Sequence, residues 1–143
     1  MAFSAKTEYG LIALIDLADA HGTGALLQTG DICRRHGIPL RYLEQMLTAL
    51  RKGGFLTSIR GPRGGFQLVR TPEEITIAAV EICLEGEPSN ERQGDREDLE
   101  FQVLMALDQK LDEARASLLS STTLADLLAE RNKRLQPQPM FYI

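Results

Sequence analysis

Apolar residues near the start of the chain recur at helical spacing: Tyr9, Ile12, Ala13, Leu14, Leu17 and Ala18. With Ser4 ahead of them as an N-cap and His21-Gly22 behind, they predict a first helix. After the small-residue turn GTGA, a shorter helix starts near Thr29, carries Ile32, Cys33 and His36, and stops at Gly37. Glycine at that point suits a left-handed C-cap. Ile38-Pro39 opens a third helix, with Pro39 in the first turn, where a missing N–H costs nothing. Leu43, Met46, Leu47 and Leu50 make its apolar stripe, Arg41, Glu44, Gln45, Thr48 and Arg51 lie on its other faces, and Gly53-Gly54 ends it. Two helices joined through about four residues with a glycine in the turn outline a helix-turn-helix.

The period then changes. Phe55–Ile59 and Phe66–Val69 are short runs rich in aromatic and β-branched residues, separated by Arg60, Gly61, Pro62, Arg63, Gly64 and Gly65, which predicts a β-hairpin. Helix, helix-turn-helix and hairpin, in that order, make a winged helix. A further short helix is expected from about Thr76 to Leu84, and the polar stretch 85–98 reads as a loop. Helical periodicity returns from about Leu99 to Leu119, where Leu104, Leu107, Leu111, Ala114 and Leu118 step by three and four as an a/d seam of about two heptads. Thr123-Leu124-Ala125-Asp126 has the form of a capping box for a last helix to about Leu135, followed by a frayed tail. The fold class is mainly α with a small β-hairpin.

Composition adds one feature to this outline. The chain has 143 residues, 43% of them hydrophobic, enough for one core and at most a small extension. No apolar run is long enough for a membrane span, and MAFSAKTEYG has no secretory leader, so a cytoplasmic protein is expected. The net charge of −4 is unevenly spread. Residues 1–72 hold nine Lys or Arg against five Asp or Glu, whereas residues 73–143 hold seven against fifteen. Between 34 and 70 there are eight basic groups and one acid, Glu44. Such asymmetry points to one surface that meets a polyanion.

RGPRGGF (60–66) is the motif on which that surface turns. It lacks the Lys-Ser/Thr and the following helix of a P-loop, and a strand follows it where a dinucleotide fingerprint needs a helix. A bare turn and a nucleic-acid-binding wing both remain. Arginine on a narrow loop suits a minor groove, and glycine permits close approach to phosphate. Beside it, Arg41, Tyr42 and Gln45 at the start of the third helix are types that read base edges or hold phosphates, which favours DNA contact. No nucleophile elbow or HExxH pattern is present, so no catalytic or metal site is expected. Cys33 and Cys83 sit on apolar helical faces and read first as small hydrophobes. His36 reads as a cap or phosphate neighbour.

The stretch 38–70, with YLEQ (42–45), LRKGGF (50–55), RGPRGGF (60–66) and later TLADL (123–127), resembles the Rrf-type winged-helix transcription regulators, the family of IscR and NsrR. The resemblance runs along nearly the whole chain. It implies a homodimeric regulator of double-stranded DNA, with the helix from Pro39 as recognition helix, the 56–69 hairpin as wing and the 99–119 helix as dimerisation element. The expected division is a winged-helix domain over 1–84, a polar loop over 85–98, and dimerisation and C-terminal helices over 99–143. The DNA-facing set would be Thr29, Leu40, Arg41, Tyr42, Gln45, Arg51, Arg60, Gly61, Arg63 and Gly64. The dimer seam would be Leu104, Leu107, Leu111, Ala114 and Leu118.

One departure matters. Cluster-binding members carry three cysteines in the loop before the dimerisation helix, and here residues 86–98 contain none. Glu8 lies near the position from which some members supply a non-cysteine ligand. Without thiolates an iron–sulfur cluster is not expected. The alternatives to a plain DNA-binding regulator are one switched by Cys33 or Cys83, one switched by a small molecule or partner protein, and a winged helix that serves protein interaction.

Overall fold

Ser4 stands in extended backbone, and its hydroxyl accepts the N–H of Thr7 at 3.3 Å, which starts helix α1 (Ala5–His21) where an N-cap should. The computed structural model describes residues 1–86 and 98–136. Most of the expected polar loop and the tail lie outside the described residues. Helices α2 (Thr29–His36) and α3 (Leu40–Lys52) follow, then strands β1 (Leu56–Ile59) and β2 (Gly65–Leu68). A 3-10 turn (Pro72–Glu74) leads into α4 (Ile77–Glu85), and the chain closes with α5 (Leu99–Ser121) and α6 (Leu124–Leu135). The mainly helical architecture with one antiparallel hairpin matches the periodicity of the sequence.

Local chemistry accounts for most boundaries. Gly37 adopts φ 66°, ψ 31°, the left-handed cap that a side chain disfavours. Thr76 caps α4 by accepting the N–H of Ala79 at 3.2 Å. Thr123 and Asp126 form the full reciprocal capping box at the start of α6. Pro39 differs by one position from its expected place. With ψ 131° it stands in front of α3 as its N-cap, and the first helical residue is Leu40.

The core lies where α1 meets α3, α4 and α6. Leu14, Leu17, Leu43, Leu47, Leu50, Ile75, Ile77, Val80 and Leu124 are fully enclosed there. Thr7 is buried too, and its hydroxyl donates to the Glu85 carboxylate at 2.9 Å, so it keeps a hydrogen-bond partner. The C-terminal segment is stitched into this core by the backbone. Ile77 N–H donates to Thr122 at 2.9 Å, and Leu124 N–H donates to Ile75 at 2.8 Å. Helix α6 therefore packs on α1 as part of the same hydrophobic unit as the winged helix, with Leu127 and Leu128 against it. Among the described residues no helix is long and apolar enough to cross a membrane.

Candidate nucleic-acid interface

Four buried residues on one side of α3, Leu43, Met46, Leu47 and Leu50, fasten it to the core and turn its opposite side outward. That outer side carries Arg41, Glu44, Gln45, Thr48, Ala49 and Lys52, which line an open concavity of about 440 Å³. Leu40 and Tyr42 flank it, both about half exposed. The preceding helix is held in place by charge. The Asp16 side chain on α1 is only 5% exposed, with His36 Nε2 at 2.6 Å and Arg35 at 3.5 Å. An enclosed carboxylate needs such partners, and the pairing anchors the end of α2 just before the Gly37 turn.

The wing is joined to the helix-turn-helix rather than hanging from it. Strands β1 and β2 pair in the register Leu56 with Leu68, Thr57 with Gln67, Ser58 with Phe66 and Ile59 with Gly65. Leu27, in the connector before α2, adds a bridge to Phe66, with N–H···O distances of 3.0 and 2.8 Å. At the tip, Gln28 Nε2 donates to the Pro62 carbonyl at 3.0 Å. Leu27 and Gln28 thus fix the spacing between wing and α2, and so between wing and α3.

The expected DNA-facing residues fall into two groups. Arg41, Tyr42, Gln45, Arg51, Arg60, Gly61 and Arg63 are exposed, on α3 and the wing. Among the described residues, Arg41, Arg51, Arg60 and Arg63 have no acidic partner, and neither does Lys52. Thr29 is half-buried at the head of α2. Gly64 is buried, and a Cβ there would overlap the carbonyl oxygen of Ile59. Its lack of a side chain therefore serves the turn itself, whose Gly64 N–H donates to Gly61 at 2.9 Å. Arg70, also within the basic stretch, stacks its guanidinium over Phe55 at 4.7 Å from the ring centre. Thr48 and Lys52 join the outer face about one and two turns on from Gln45, a signal that helical periodicity carries. Gln28 carries no local signal, because its partner lies across the fold.

A family model described as iron-dependent transcriptional regulator, Rrf2, matches residues 3–130. The chain belongs to the Rrf2 family. It is 33% identical over 131 residues to the HTH-type transcriptional regulator IscR of Photorhabdus laumondii, covering 90% of this chain and 79% of that protein. Among solved structures, T. potens IscR superposes with a TM-score of 0.80 at 32% identity, over 99% of this chain and 97% of that one. CymR, the global cysteine regulator of B. subtilis, gives a TM-score of 0.73 at 33% identity, over 91% and 98%. This Rrf2 protein is a winged-helix transcription regulator and not an enzyme.

The donor set of this Rrf2 chain does not fit a cysteine-ligated cluster. The sequence has two cysteines, one in α2 and one in α4. Burial pushes the Cys33 thiol up, with Glu44 adding to the effect and Arg34 opposing it. Burial raises Cys83 as well, against the opposing charge of Arg70, and its Sγ lies 3.4 Å from the Ala49 carbonyl, to which it donates. Both shifts disfavour the thiolate, the form that ligates metal and attacks electrophiles. Among the described residues no group of three or more His, Cys, Asp or Glu side chains is placed to hold a metal ion.

Proposed function

We propose that this Rrf2 protein acts as a homodimer that binds an imperfectly palindromic operator, with α3 in the major groove and the wing in the flanking minor groove. The observation that carries this reading is the spatial union of two unpaired basic surfaces. Arg41, Arg51 and Lys52 on α3 and Arg60 and Arg63 on the wing are held at a set spacing by the Leu27–Phe66 and Gln28–Pro62 hydrogen bonds. Guanidinium groups with no internal partner stay available for phosphates and base edges. Gln45 and Tyr42 supply uncharged donors and acceptors on the same helix, as base discrimination needs.

The second copy would be met by α5. Leu104, Leu107, Leu111 and Leu118 are exposed along it, together with Leu99 and Val103, and none of its residues is buried. A second α5 would cover them and set two recognition helices about one DNA turn apart. Regulation in this chain would proceed without a cysteine-bound cluster. Anaerobic purification is expected to give protein free of stoichiometric iron and sulfide, and a coloured, iron- and sulfide-loaded preparation would overturn that.

The wing is tested by Arg63→Ala in gel shifts over a salt series. Operator affinity should fall about tenfold, and the slope of log affinity against log salt should lose roughly 0.9 for each wing phosphate contact removed. Unchanged affinity would take the wing out of the interface. Arg41→Ala and Gln45→Ala should instead flatten base preference in sequences selected from a random pool. A uniform loss over all sequences would reduce α3 to a backbone contact.

A further inference from the structure

We propose that the cleft between α1, α2 and α6 is a binding site for a small carboxylate anion with a short hydrocarbon body. The cleft has a volume of about 200 Å³ and is lined by Ile12, Ile15 and Asp16 of α1, Arg35 and His36 of α2, and Arg131 of α6. A water takes up roughly 30 Å³ of liquid, so this is room for a small molecule and not for a peptide.

The charged groups of the lining differ in what they have left to offer. Asp16 is already satisfied, by His36 Nε2 at 2.6 Å and Arg35 at 3.5 Å, so it offers little to a cationic ligand. Arg131 is different. Its Nη2 pairs with Asp19 at 2.7 Å, but its Nε–H is buried and meets no acceptor among the described residues. A guanidinium N–H taken out of water without an acceptor is unfavourable, and an anionic oxygen placed there relieves that cost through a charge-assisted bond. Arg35, more than half exposed at the rim, already faces the Asp16 carboxylate at 3.5 Å, so the unmatched Arg131 donor is what an anion would meet. The half-buried Ile12 and Ile15 side chains give the same cleft an apolar part of its lining. An acceptor at one end and hydrocarbon at the other describe a short-chain carboxylate. Phosphate would set charged oxygens against the isoleucines, and a neutral alcohol would forgo the charge assistance.

The site is separate from the outer face of α3 and the wing, so it can be tested without DNA. Calorimetry on the full chain would use isovalerate, with isoamyl alcohol as its uncharged counterpart and inorganic phosphate as the anion without hydrocarbon. One isovalerate should bind per chain, about tenfold or more tighter than either comparison compound. Arg131→Lys keeps the charge facing Asp19 but has no Nε–H, and should lose about tenfold in isovalerate affinity with an unchanged melting temperature. Arg35→Gln, which also takes a partner from Asp16 and is therefore compared at a checked melting temperature, should weaken isovalerate about threefold through the lost charge. Absence of saturable isovalerate binding, equal binding of the alcohol or of phosphate, or full affinity in both variants would each overturn the proposal.

Discussion

Helices α1 and α5 are the two longest in the molecule, and they use their apolar residues in opposite ways. Helix α1 has 17 residues and buries eight of them, because α3, α4 and α6 close around it. Helix α5 has 23 residues and buries none, although its sequence is rich in leucine. Leu107 and Leu111 are 53% and 60% exposed. The helix is still attached to the rest of the chain. Arg115 forks onto both Glu81 carboxylate oxygens at 2.5 and 2.6 Å, and Leu119 packs on the core. The contrast teaches that one copy of the chain completes the core around α1 and leaves the burial along α5 unfinished. An exposed apolar stripe of that length is the mark of an interaction surface.

Matched substitutions in the two helices test this contrast. Leu14→Ala in α1 removes a fully enclosed side chain, and should cost about 2–5 kcal/mol in chemical denaturation, from lost transfer energy and the cavity left behind. A cost below about 1 kcal/mol would show that the core around α1 relaxes freely. Leu107→Glu combined with Leu111→Glu should leave the helical circular dichroism intact while sedimentation moves from dimer to monomer. Operator affinity should then fall roughly a hundredfold or more, because two half-sites no longer bind as one unit. A dimer that survives both glutamates would refute α5 as the interface.

The smallest expected effect concerns the joint between the two regions. The Arg115 hydrogen bonds hold the Glu81 carboxyl below its ordinary value of 4.5, with burial opposing them. The resulting stabilisation is fully present above about that pH and is lost as pH falls through the lower folded-state value. Glu81→Gln should therefore cost less than about 1 kcal/mol at neutral pH, as befits a partly exposed pair, and nothing once the wild-type carboxyl is protonated. A penalty that persists at the acid end would mean that packing, and not charge, joins α4 to α5.

Much of this was legible along the chain. Ser4, Gly37 and the Thr123–Asp126 capping box each act within four residues of themselves, so the helix boundaries they set could be read directly. The buried stripe of α3 was legible because Leu43, Met46, Leu47 and Leu50 repeat at one-turn spacing. The leucine steps of α5 were visible too, but periodicity could not say that they lack a partner within the chain. Gly64 shows the limit of reading residue types. As a glycine in a basic loop it suggested close approach to phosphate, and in the fold the close approach is to the carbonyl of Ile59. Asp16 gave no signal at all, sitting in an apolar helix as one more acid. Its role emerged only when Arg35 and His36 were brought beside it.

The sequence by itself determined the order of elements, their caps, the concentration of positive charge between residues 34 and 70, and membership of a regulator family that here lacks the cluster cysteines. These follow from interactions spanning a few residues or from counting, which need no knowledge of the fold. Tertiary structure decided which faces are spent and which are free: the wing pinned by Leu27 and Gln28, α6 returned onto α1, Arg131 left with an unmatched donor, and α5 left bare. The first two depend on groups dozens of residues apart coming together, the last two on no such group arriving, and no local period or propensity encodes either outcome.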